Sequence, residues 1–195
     1  MTVTYSQDLA GITQLCKTKR CKECGLYLNQ LPIFDQKKNS KVFWVGLSAV
    51  QFRDEEQKLP LSRLTKSGAL IHSIEESLLD QITFYKTNIV KCVPLKGAKI
   101  RYPLEHEMEK CFPNFTSELE ELQPSTVFLL GKQVANFVFK KLSEYTPCLD
   151  DDFFYKAVTI GKTRFVAIHH PSFILVYKRK SLNKYIENIQ RIILE

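Results

Sequence analysis

Short, unbroken apolar runs alternate along this chain with longer segments whose apolar residues return every three or four positions. The run at 41–46 holds Val42, Phe43, Trp44 and Val45; a second lies at 84–90, broken by Thr87 and Asn88, and a third at 126–130 ends at Gly131. Such runs read as strands buried on both faces, since a strand with one wet face would alternate. Helical spacing covers 67–81, with Leu70, Ile74, Leu78 and Leu79 on one side, and recurs at 133–142 and 182–194. It also covers 103–122, with Met108, Phe115, Leu119 and Leu122 inward, where Pro113 is expected to kink or split the helix. Segments 154–160 and 163–168 flank Gly161-Lys162, a hairpin turn. The polar 35–40 reads as a turn and the charged 51–58 as a surface loop, and 1–15 has room for one short helix.

Buried strands separated by helices predict an α/β fold, a parallel sheet covered on both faces. One domain over 1–195 is expected, in which 1–40 is a basic, cysteine-containing lead-in. Ligands of such folds collect at the carboxyl ends of the strands, here 46–48, 88–92, 131–132 and 169–172.

Composition narrows the class. Of 195 residues 44% are hydrophobic and 25% charged, with 13 Phe and 8 Tyr, which excludes disorder as the dominant state. No apolar stretch approaches the ~20 residues of a membrane span. No basic start followed by an apolar block marks a signal peptide in 1–15, so an intracellular protein is expected; separately, a cytoplasmic, nucleoid-associated monomer is the expectation. The net charge of +7 suits nucleic acid or another polyanion, and suits solubility equally.

Reduced thiols are expected inside a cell. Cys21 and Cys24 can ligate one centre from a tight turn, and Cys92 and Cys111 can complete it if the lead-in folds back beside the second strand. A sulfur-only set fits zinc and an iron–sulfur cluster equally well. Cys16 and Cys148 read as buried, unligated thiols.

Four stretches in order are Cys21-Lys22-Glu23-Cys24-Gly25-Leu26, Thr87-Asn88-Ile89-Val90-Lys91-Cys92, Glu109-Lys110-Cys111 and His170-Pro171-Ser172-Phe173. Together with Leu122-Gln123-Pro124 and Leu130-Gly131 they resemble the iron–sulfur (family 4) uracil-DNA glycosylases. The resemblance spans nearly the whole chain. It implies a three-layer α/β/α sandwich around a four-stranded parallel sheet, with a [4Fe–4S] cluster on Cys21, Cys24, Cys92 and Cys111.

In that family the first strand runs into Gly-Glu-x-Pro-Gly, whose acid positions water, and a later Pro-Phe stacks on the extruded uracil. Here the base pocket would consist of Gly46, Leu47 and Ser48, with Leu61 in the place of the ring and Asn88 on the uracil edge. Leu47 stands where the acid belongs, and Asp54, Glu55 and Glu56 offer carboxylates nearby, although they read more plainly as a solvated cluster. The resemblance implies that Asn88 pairs with uracil's carbonyl and ring N–H and that His170 stabilises the departing base. DNA contacts are expected from Ser172, Lys178, Arg179 and Lys180, with Phe173, Ile174 and Leu175 as wedge residues, and from a second loop carrying Ser62, Arg63, Thr65, Lys66 and Ser67.

Three functions remain open: a glycosylase hydrolysing the base–sugar bond of uracil in DNA, an inactive or very weak relative that binds DNA or a partner protein, and a zinc-stabilised interaction module.

Overall fold

A computed structural model of the chain describes residues 21–35, 39–52 and 59–195. The expected helix in 1–15, Cys16, and the loop carboxylates Asp54, Glu55 and Glu56 lie outside the described residues. The elements are β1 (Val42–Ser48), α1 (Lys66–Glu76), β2 (Phe84–Val90), β3 (Leu95–Lys96), β4 (Lys99–Ile100), α2 (Glu105–Leu122), β5 (Thr126–Leu130), α3 (Lys132–Leu142), β6 (Ala157–Ile160), β7 (Thr163–Ile168), α4 (Pro171–Tyr177) and α5 (Leu182–Leu194).

The main sheet has the order β2-β1-β5-β7-β6. Its first four strands are parallel, as the resemblance implied, and β6 adds an antiparallel edge beside β7. The fifth strand follows from the short turn at Gly161, where φ is +62°; a connection that tight joins only antiparallel neighbours. β3 and β4 form a separate small hairpin.

The period of two along each strand sorts side chains into two cores. Phe43, Val45, Val127, Leu129 and Phe165 face α2 and α3, while Val42, Trp44, Phe128, Leu130, Val166 and Ile168 face α1, α4 and α5. Each such buried side chain contributes about 1.5–3 kcal/mol, so the helices are held on both faces and the three layers follow.

Several boundaries differ from the periodicity, among them the strand expected from 154, which begins at Ala157. α1 stops at Glu76, so Leu79 leaves the buried face and is 52% exposed. α2 runs unbroken through Pro113. The proline withholds one N–H from the carbonyl of Glu109, an exposed residue whose carbonyl water can satisfy, and the Thr116 and Ser117 hydroxyls donate to the Pro113 carbonyl. β1 continues through Leu47 and Ser48, pairing Ser48 with Val90. The chain leaves β1 for β2 on one side and returns to β5 on the other, which opens a crevice at the carboxyl ends.

Candidate functional site

A cleft of about 750 Å³ occupies that crevice. Gly46, Leu47 and Ser48 enter it from β1, Asn88 from β2, Gly131 from the end of β5, and His170 from the end of β7. Leu61, Thr65 and Ser67 close one side, and Ile100 at the end of the small hairpin, with Arg101 and Tyr102 just after it, also lines the cleft. Among the described residues lining it there is no Asp or Glu, whereas Arg101, Lys132 and His170 are present.

Gly46 shapes the floor. It pairs with Asn88 across the β1–β2 ladder, and a β-carbon on Gly46 would overlap Asn88 Oδ1 and crowd Leu61 Cδ2. Leu61 has φ +48°, a left-handed conformation costing a branched residue ~1–2 kcal/mol. The adjoining helix start accounts for its survival. The Leu61 and Ser62 carbonyls lie directly over Gly68, where any β-carbon would collide, and Thr65 caps α1 by accepting from the Gly68 N–H at 3.0 Å.

The two adjacent histidines part company. His169 turns inward, its Nδ1 3.0 Å from the Tyr155 hydroxyl, its carbonyl taking the Tyr185 hydroxyl at 2.9 Å, and its ring stacked on Phe173. His170 faces the cleft as N-cap of α4. The Ser172 backbone N–H, which can only donate, reaches His170 Nδ1 at 3.2 Å, and the Ser172 hydroxyl lies 2.8 Å from the same nitrogen. Nδ1 is therefore an acceptor and Nε2 carries the proton. Burial lowers the pKa of His170 and favours the neutral ring this tautomer requires. Gly131, with φ +90°, lets the start of α3 pass beside the histidine; a β-carbon there would stand 3.2 Å from His170 Cβ.

Behind Asn88 lies an ion pair absent from the sequence expectations. Lys91, 1% exposed, donates to the Asn88 carbonyl at 2.7 Å, the Thr87 hydroxyl at 2.6 Å and Glu118 Oε2 at 2.7 Å. Glu118 also accepts from the Tyr85 hydroxyl at 3.2 Å and the Thr87 hydroxyl at 2.8 Å. The signal was legible in one respect: Glu118 continues the inward face of Cys111 and Phe115 at helical spacing, and a carboxylate there demands a buried cation.

Cys21, Cys24, Cys92 and Cys111 line one small cleft. The segment before β1 does fold back beside the second strand: Ile33 N–H donates to the Lys91 carbonyl at 3.0 Å, Asn29 to the Val93 carbonyl at 2.8 Å, and Lys110 of α2 to the Glu23 carbonyl at 2.9 Å. Cys111 Sγ receives the Lys91 N–H at 3.4 Å and the Asn114 amide at 3.7 Å, donors suited to a thiolate. Burial, then the neighbouring Cys111, Cys24 and Cys21, pushes the Cys92 thiol up to about 12. Among the described residues no group of three His, Cys, Asp or Glu is set to hold a single metal ion, although the four cysteines line one cleft. Four thiols, with N–H donors on Cys111, form a donor set that fits a sulfur-liganded group. Cys148, expected to be buried, is exposed, because it lies in the irregular segment between α3 and β6.

The model of the uracil DNA glycosylase superfamily matches residues 32–193. The chain belongs to the uracil DNA glycosylase superfamily. It is 27% identical over 177 residues to a type-4 uracil-DNA glycosylase of Archaeoglobus fulgidus, covering 88% of this chain and 86% of that one. To the type-4 uracil-DNA glycosylase of Saccharolobus solfataricus it is 28% identical over 151 residues, 76% of this chain and 62% of the relative. The fold is similar to that in the crystal structure of Pedobacter heparinus SMUG2, with a TM-score of 0.54 at 18% identity over 82% of this chain and 76% of that one.

Within this superfamily fold, the expected DNA-facing residues separate. Ser172 and Phe173 line the cleft, whereas Ile174 is wholly buried in the core between α1 and α5, so it cannot be a wedge residue. Leu175 is half-buried against the same core, and Val176 and Tyr177 are the exposed apolar side chains of α4, 67% and 73%. The cause is helical: α4 turns its i, i+3 face inward. Lys178 is held by Asp151 at 2.7 Å, while Arg179 and Lys180 are exposed in the following turn. In the second loop Thr65 and Ser67 reach the cleft and Lys66 is exposed, but Ser62 is buried and accepts the Leu64 N–H, and Arg63 lines a separate cleft that Glu75 and Lys86 also line. Arg101 and Tyr102 reach the cleft through the β3–β4 hairpin, which no periodicity announced.

Proposed function

We propose that this chain hydrolyses the N-glycosidic bond of uracil in DNA, with His170 and Asn88 as the groups that carry recognition and leaving-group stabilisation. The supporting observation is the fixed tautomer of His170. With Nδ1 accepting from Ser172, the ring offers Nε2–H to the cleft, a donor for the uracil oxygen on which negative charge grows as the base–sugar bond breaks. Asn88 supplies an amide donor and acceptor beside Gly46, where uracil's carbonyl and ring N–H find partners and cytosine leaves buried polar atoms unpaired. Its target is reached by rotating the nucleotide out of the stack. Water attacks the sugar, the base leaves with the bonding electrons, and the water's proton passes to solvent or the departing base. Arg179, Lys180, Lys66 and Lys132 supply positive charge for the DNA backbone.

Cys21, Cys24, Cys92 and Cys111 would hold a [4Fe–4S] cluster. The four sulfurs in one cleft, together with the similarity to type-4 uracil-DNA glycosylases, support a cluster, with zinc as the alternative that a sulfur-only set also accommodates. When bound, the group staples the segment before β1 to β2 and α2.

One observation favours a second reading, a weak or non-catalytic relative that keeps the DNA cleft: Leu47 and Leu61 line the cleft, and no acid does so among the described residues. Uracil release under single-turnover conditions, protein in excess over uracil-containing DNA, decides between them. Release by wild type that falls on the order of a hundredfold or more in His170→Ala supports the glycosylase. No release by wild type, with binding indifferent to uracil, supports the relative.

A further inference from the structure

We infer that Tyr102 is a stacking platform for a DNA base next to the extruded nucleotide, an inference that rests on the glycosylase reading of the cleft. The Tyr102 side chain lines the cleft yet is 74% exposed, so it contributes little to the fold. The backbone that carries it is held with unusual economy by one pair of residues. Arg101 donates to Glu107 through both terminal nitrogens at 2.8 and 2.6 Å, to the Tyr102 carbonyl at 2.9 Å and to the Leu95 carbonyl at 3.2 Å. Its own N–H reaches the Pro94 carbonyl at 3.0 Å, and Glu107, 3% exposed, also takes the Leu104 N–H at 2.7 Å. The guanidinium is thus committed to the protein and anchors the chain on either side of Tyr102.

A ring presented to water from a rigid backbone loses little freedom on meeting a flat partner. The surroundings select DNA as that partner. Lys132 stands on the cleft wall with no acid among the described residues lining it, and Lys96 and Lys99 are exposed on the adjoining hairpin. The site is continuous with the floor at Gly46 and Asn88, but so exposed a ring cannot close over a base bound there. It serves a neighbouring base of the same strand, and stacking of this kind tolerates every base.

Titrating full-length wild type, Tyr102→Ala and Tyr102→Phe with a uracil-containing oligonucleotide carrying 2-aminopurine on one side or the other of the uracil tests this. Tyr102→Ala should bind about 5- to 100-fold more weakly, with an unchanged dependence on salt, and should lose the quenching of 2-aminopurine at one neighbouring position. Tyr102→Phe should behave as wild type. Equal affinity of Tyr102→Ala, with 2-aminopurine indifferent on both sides, overturns the inference, and so does a Tyr102→Phe as weak as the alanine variant, which would mark a hydroxyl contact. If wild type binds no DNA, the glycosylase reading fails with it; if wild type binds and only the Tyr102 variants match it, the stacking inference alone fails.

Discussion

The side-chain oxygen of Asn88 occupies the space in which a side chain on Gly46 would begin, and the two residues are direct partners across the β1–β2 ladder. The absence of a β-carbon on one strand therefore decides where the amide of the other can lie. Gly46→Ala should push the carboxamide aside without unfolding the sheet. The expected outcome is a fall in single-turnover uracil release of about tenfold or more with a thermal midpoint lowered by a few degrees. Unaltered release would show that the amide position is immaterial.

The pH profile of uracil release should report His170. Burial lowers its pKa below the usual ~6.5, so the neutral donor predominates at neutral pH and above. Release should be flat above pH ~6.5 and decline as pH falls below it, when protonation of Nδ1 breaks the bond from Ser172. The sign for stability is the same: the unfolded chain takes up the proton first, so stability from this residue is complete above the ordinary histidine range and declines as pH falls through it. A rate that rises towards acid would contradict the neutral-ring assignment.

Leu47→Glu should test whether the missing acid limits the rate. Leu47 is half-buried at the carboxyl end of β1 within the cleft. A carboxylate there should raise single-turnover release by at least about tenfold, part of the hundredfold to ten-thousandfold that a general base contributes. No gain, in a variant that still folds and binds, would mean that the Ser48-Ala49-Val50 backbone aims the side chain away from the sugar.

Lys91→Met should be among the most destabilising single substitutions in the protein. It leaves Glu118, 8% exposed, without its ammonium partner, a loss of about 3–5 kcal/mol measurable by denaturant unfolding. Lys91→Met with Glu118→Leu should recover most of it, since a buried pair is often replaceable by apolar residues. A double variant no better than the single one would show that the Asn88 carbonyl and the Thr87 and Tyr85 hydroxyls, not the pair itself, carry the cost.

Protein purified without oxygen should be brown with about four irons per chain. Cys92→Ser should bleach it and lower its thermal midpoint, and Cys148→Ser, at an exposed position, should change neither. Colourless protein containing one zinc per chain after anaerobic expression with iron would remove the cluster from the proposal.

Periodicity alone determined the layers, because a run such as Val42 to Val45 can be buried on both sides only between helices, and helices at 3.6 spacing must cover it. Motif order determined which cysteines and polar residues to follow, and the carboxyl ends of the strands told where they would gather. The motif singled out His170, but neither showed what turns His169 inward and His170 to the cleft, since those directions depend on Tyr155, Tyr185 and the cap of α4. Nor could they show that Ile174 turns inward, that Leu61 takes a left-handed backbone above Gly68, or that Lys91 reaches Glu118 across 27 positions. Local patterns are set by chain geometry within a few residues, whereas these features arise from contacts between segments distant along the chain. Their positions exist only once the sheet has closed its register and the helices have packed on it.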